Sequence, residues 1–131
     1  MEFHREVCYA GYQHLITYAL FENHKMHKWK VRVHQAKEII FLWGGMDSPS
    51  YGGDTGELFF KNDDMGAPCL YGIRTTTSSS TTVAELLGKS SGTLEPGECY
   101  LMSLRNLRGI WVKCVDPNVD TIIECMIHPR T

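Results

Sequence analysis

Between residues 93 and 128, hydrophobic and polar positions alternate in short runs separated by turn residues, a pattern that predicts strands. Cys99-Tyr100-Leu101-Met102-Ser103-Leu104 leaves the Pro96-Gly97 pair directly. Proline presets φ at the first turn position and glycine accepts a positive φ. Arg105-Asn106-Leu107-Arg108-Gly109 is a polar corner pinned by Leu107. Ile110, Val112 and Cys114 then alternate with Trp111, Lys113 and Val115, the period of two that gives a strand two distinct faces. Asp116-Pro117-Asn118 makes the next turn, because proline donates no ladder hydrogen bond. Ile123, Cys125 and Ile127 share one face of the last run. Three antiparallel strands with one apolar face need a second layer over them, and that layer has to come from upstream.

Upstream, Trp29, Val31 and Val33 alternate with Lys30, Arg32 and His34, a half-buried strand with a basic outer face. Residues 38–43 are apolar after Glu38 and end at Gly44-Gly45, which suits a strand buried on both faces or at a subunit contact. Residues 45–56 are a long exposed loop without periodicity. Residues 57–61 and 68–73 read as two further strands. The hydroxyl-rich run at 75–82 reads as a mobile surface loop or edge segment, since it holds nothing to bury. Thr82 would cap a short helix with Glu85 three residues on, and Gly88 would end it. Residues 4–21 fit two periods. Cys8, Tyr12, Leu15 and Ala19 share a helix face, whereas Leu15, Thr17, Ala19 and Phe21 alternate as in a strand. The expectation is a mainly β chain of six or seven strands. Residues 29–131 form an antiparallel β-sandwich or jelly-roll-like domain, and residues 1–28 an N-terminal arm or short helix.

Composition narrows the function. At 131 residues the chain is one domain by size, large enough for its own core. A net charge of -2 leaves no cationic excess for nucleic acid. No apolar run is long enough to span a membrane, and no basic-then-apolar start marks secretion. The five cysteines contain no C-x-x-C pair and several fall at apolar strand positions. They are expected to be buried free thiols in a protein made in a reducing, cytoplasmic compartment.

The chemical motifs are incomplete. His24-x-x-His27, with His34 further on, has metal-ligand spacing, but Lys25 and Lys28 flank it and no acidic or thiol ligand is adjacent. Asp47, Asp54, Asp63 and Asp64 match no calcium loop and are expected to shape turns. No nucleophile sits in a strand-to-helix elbow. Arg74, the run at 75–82 and Glu95 or Glu98 resemble the Arg, Ser-Thr-Ser, Glu-x-Glu order of ADP-ribosyltransferases, with Ser78-Ser79-Ser80 and Glu-x-x-Glu as departures. An enzyme is therefore the third reading, and no catalytic residue, metal or cofactor is expected. The second is a small-ligand (nucleotide or sugar) binding protein whose pocket joins Tyr51, Arg74 and the Ser/Thr loop.

Leu58-Phe59-Phe60-Lys61-Asn62-Asp63, Pro68-Cys69-Leu70-Tyr71-Gly72, Leu94-Glu95-Pro96-Gly97-Glu98 and Leu107-Arg108-Gly109-Ile110-Trp111-Val112 together resemble small virion proteins of tailed bacteriophages, such as head decoration, fibre and tail-adaptor domains. The resemblance covers about residues 57–127. It implies a structural, self-assembling component of the virion and no catalytic residues; the expected partners are further copies of the chain and other virion proteins, with no nucleic acid and no membrane. Surface aromatics are the expected contacts: Phe3, Tyr9, Tyr12, Tyr18 and Phe21 in the arm, with Trp43, Tyr51 and Trp111 in the domain.

Overall fold

The computed structural model describes residues 27–34, 38–46, 56–75, 82–116 and 118–129. They form β1 (His27–Val33), β2 (Ile40–Gly44), β3 (Gly56–Asn62), β4 (Cys69–Arg74), helix α1 (Val83–Gly88), β5 (Gly92–Leu94), β6 (Cys99–Ser103), β7 (Gly109–Cys114) and β8 (Thr121–Pro129). Two four-stranded antiparallel sheets result, with strand orders β1-β8-β3-β6 and β2-β7-β4-β5. The chain changes sheet at nearly every connection, and only β4 and β5 are both sequential and paired. That is the order of a jelly roll, so the expected mainly β sandwich is the observed fold.

The second layer does not come wholly from upstream. β6, β7 and β8 follow one another in sequence, yet none pairs with the next: β6 lies against β3, β7 between β2 and β4, and β8 between β1 and β3. A two-residue hairpin would hold neighbours in one sheet. The corners at 104–108 and 115–120 carry enough chain to cross the ~10 Å between packed sheets.

Period-two alternation sets what faces inward. Ile110, Val112 and Cys114 of β7 meet Leu58 and Phe60 of β3 and Ile123 and Cys125 of β8 in one buried cluster. Phe60, Tyr71 and Tyr100 extend it as an aromatic triad, with ring centroids 4.8 Å apart for the two tyrosines. Along β2 only Leu42 is fully buried, while Ile40, Phe41 and Trp43 are half-buried, so this strand is covered less completely than its continuous apolar run implies. A bulge between Phe41 and Trp43 adds an extra residue there and breaks the alternation.

Trp111 is a correction. It points away from the inter-sheet cluster but is fully buried, its ring lying where a side chain on Gly72 would collide with it. It fills space over the second sheet and offers no contact surface. Helix α1 packs beside β4. Its cap follows expectation, with the Glu85 amide donating to Thr82 Oγ1 at 3.2 Å, although the closing residue is Lys89 and Gly88 is still helical.

Candidate functional site

The antiparallel order gathers the connections β1–β2, β3–β4, β5–β6 and β7–β8 at one end of the sandwich. Asn62, the last residue of β3, organises this end. Its side chain is wholly buried and donates to the carbonyls of Ala67 at 2.8 Å and Leu94 at 3.1 Å. It also accepts from Thr121 Oγ1 at 2.6 Å. Its backbone amide donates to Glu98 O and its carbonyl accepts from the Gly97 amide. Side chain and backbone together, Asn62 ties the β3–β4 turn, the end of β5 with its following turn, and the start of β8 to one another. Gly66 is required beside it, because a Cβ there would overlap Thr121 Oγ1.

The turns held by this network are locally closed as well. Asp63 Oδ1 accepts from the Met65 amide at 3.0 Å, an Asx turn. Asp116 Oδ1 accepts from the Asn118 amide at 2.8 Å. The Val115 amide donates to Pro68 O at 3.0 Å, fastening the β7–β8 turn to the β3–β4 turn. Both aspartates thus shape turns, the role expected of Asp63.

These turns expose Met65, Val115 and Val119 beside the polar Asp63, Asp64 and Asn118. Five large hydrophobic side chains are exposed among the described residues: Met65, Leu101, Val115, Val119 and Ile122. All but Leu101 lie at this turn end, Met65 being 90% exposed. Charged pairs stand at its margin. Arg32 Nη2 is 3.0 Å and His34 Nδ1 3.4 Å from Asp120 Oδ2, and Lys61 Nζ is 3.3 Å from Asp64 Oδ1.

The residues singled out from the sequence are not brought together. Arg74 ends β4 at the opposite end of the sandwich from Glu95 and Glu98, ~17 Å of strand away. Its guanidinium is buried, and Nη1 donates to Gly45 O at 3.1 Å. Glu98 Oε1 accepts from the Glu95 amide at 3.1 Å, closing the β5–β6 turn. Trp43 is half-buried against the core. Phe3, Tyr9, Tyr12, Tyr18, Phe21, Tyr51, His24, Asp47, Asp54 and most of the Ser/Thr run lie outside the described residues. The apolar turn end was not found from sequence, since Met65, Val115 and Val119 stand in turns where hydrophobic periodicity has no meaning.

The cysteines divide. Cys69, Cys114 and Cys125 are free and buried, as expected. Burial pushes the thiols of Cys69 and Cys125 up to about 12, with Cys114 beside Cys69 adding to the effect, so neither is a nucleophile near neutral pH. Cys114 Sγ lies 2.8 Å from Val119 O inside the β7–β8 turn. Cys99 departs from the expectation of free thiols: it is disulfide-bonded.

No family model and no curated protein matches the chain. Among solved structures it is similar to a subunit described under "Bacillus endospore appendages form a novel family of disulfide-linked pili", with TM-score 0.41 and 9% identity over 82% of this chain and 91% of that one. It is also similar to the SPBc2 prophage-derived protein YomS, with TM-score 0.42 and 10% identity over 79% and 94%. The Yersinia pseudotuberculosis-derived mitogen gives TM-score 0.43 and 7% identity over 82% and 87%. At this distance the likenesses carry no functional statement. Among the described residues no helix is long and apolar enough to cross a membrane.

Proposed function

We propose that this protein is a virion structural or assembly component, of the capsid-decoration, fibre or tail-adaptor kind, that works through protein–protein contacts and not by catalysis. The observation that carries the reading is the clustering of Met65, Val115, Val119 and Ile122 at one end of the sandwich. Exposed apolar side chains with ion pairs at the same end of the sandwich suit a contact surface. The Asn62 network supports the reading further, because turns already ordered cost little to order on binding. In this reading the chain is made in a reducing cytoplasm as a homo-oligomer building block, and the Cys99 bond closes after release into oxidising surroundings.

Size-exclusion chromatography with light scattering tests it. The expected result is a defined oligomer that falls to monomer when Met65 and Val115 are both changed to Lys, with the far-ultraviolet circular dichroism unchanged. A wild-type chain that is monomeric at every concentration tried overturns the proposal.

A further inference from the structure

β4 and β7 are neighbours in the second sheet, and their register sets Cys69 directly opposite Cys114. Both thiols are free, face inward and belong to the buried cluster. Opposed residues on an antiparallel pair alternate between hydrogen-bonded and non-hydrogen-bonded sites, and side chains stand closer at the latter. Just beyond this pair the Val115 amide donates to Pro68 O at 3.0 Å, which makes 68 and 115 the hydrogen-bonded site. Cys69 and Cys114 therefore occupy the closer kind, where Cα atoms are ~4.5 Å apart. A disulfide accepts Cα separations from about 4.4 to 6.8 Å, so the two sulfurs can join with little movement of either strand. Burial first, and then the Cys114 thiol beside it, push Cys69 up to about 12.

The third buried thiol is placed differently. Cys125 lies on β8 in the first sheet, ~10 Å away across the core, opposite Trp29 on one side and Phe60 on the other. Cys125 is a small apolar side chain in a core. Cys69 and Cys114 are a dithiol. They also sit at the rim of the sheet: Cys69 begins β4, Cys114 ends β7, and the exposed Val115 follows it.

We propose that Cys69 and Cys114 form a redox-modification site, a buried dithiol that a small-molecule disulfide converts into a cross-strand disulfide between β4 and β7. Cys114 is the point of entry. Its Sγ lies 2.8 Å from Val119 O and 3.4 Å from Asp116 O, so opening of the β7–β8 turn releases it. The Cys114 thiolate attacks one sulfur of the small disulfide, forming a mixed disulfide and expelling one thiolate. The Cys69 thiolate, relieved of its burial while the turn is open, attacks the Cys114 sulfur and expels the second. The two cysteines give up two protons and two electrons, and the small disulfide leaves as two thiols. In the product Cys114 has no S–H to give to Val119 O or Asp116 O, and the chain from residue 69 to 114 is closed in a covalent loop. The bond forms whatever the turn end binds.

Peptide mapping tests the site. The full chain, purified without reductant so that the Cys99 bond is kept, is incubated in native buffer with oxidised glutathione. Free thiols are then blocked in denaturant and the chain is digested without reductant. The expected result is a Cys69–Cys114 peptide, formed at least about tenfold faster than any link or adduct at Cys125. Cys69 and Cys114 both recovered as blocked thiols, or Cys114 recovered only as its glutathione adduct, overturns the proposal. Links to Cys125 that appear as fast show exchange through the unfolded chain and overturn it as well. The urea midpoint of the linked chain, read at about pH 5 where thiol exchange stops, should lie above that of the untreated chain, because the closed loop restricts the unfolded state. A linked chain whose midpoint does not rise shows that the bond fastens nothing, and overturns the fit of the disulfide to these two strands.

Discussion

The Thr121 hydroxyl donates to Asn62 Oδ1 across 2.6 Å, with both side chains buried, and so joins the first residue of β8 to the last of β3. Removing the hydroxyl leaves a buried amide oxygen short of its donor. Thr121→Val should therefore cost about 1–3 kcal/mol of folding stability, read as a lower urea midpoint with an unchanged slope. Thr121→Ser should recover most of it. Equal midpoints for wild type and Thr121→Val would show that the bond adds nothing.

Arg74 is expected to behave as a structural residue. Its planar guanidinium is buried at the end of β4 and holds Gly45 O. Lysine cannot reproduce that fork, so Arg74→Lys should lower stability by about 1–3 kcal/mol in equilibrium unfolding. An arginine kept only to hold a substrate would leave the unfolding curve where it was.

Alkaline pH should weaken the fold through its thiols. Cys69 and Cys125 are raised from 9.0 to about 12, by burial first in both cases. Tyr100 is raised from 10.0 to about 12 by burial, then by Tyr71 and Glu98. Each group is neutral when protonated, so below about pH 9 neither state ionises and the full stability is present. Between about pH 9 and 12 the unfolded chain releases protons that the folded one keeps, and stability falls as pH rises. The urea midpoint should be lower at about pH 10.5 than at about pH 8. Changing both cysteines to Ala or Val should flatten much of that slope.

The strands were legible wherever a two-residue period ran for several residues. Ile110, Val112 and Cys114 were assigned to one face, and that face is the core. The cap at Thr82 was legible because its chemistry is local. What the pattern could not carry was pairing. Nothing in the spacing of Leu101, Trp111 and Ile123 says that β7 belongs to a different sheet from β6 and β8. β5 is three residues long, too short to show a period. Trp111 has an aromatic's character in either setting. Its burial depends on Gly72, distant in sequence, leaving room for its ring. Asn62 shows the same limit: nothing near it in sequence marks the two carbonyls and the hydroxyl, brought in by three other segments, that its side chain satisfies.

The position of β8 has a consequence for how the chain comes into being. It is the last described strand, yet it sits inside the first sheet, between β1 and β3. During synthesis β1 and β3 emerge early and have no strand to join them until residues 121–129 leave the ribosome. The first layer therefore closes late, on contacts that span most of the chain, the arrangement that makes folding slow. Until then the apolar inner faces of β1 and β3 are open to neighbouring chains. A crowded site of production, with many copies made at once, would place the greatest demand on whatever shields those faces in the interval.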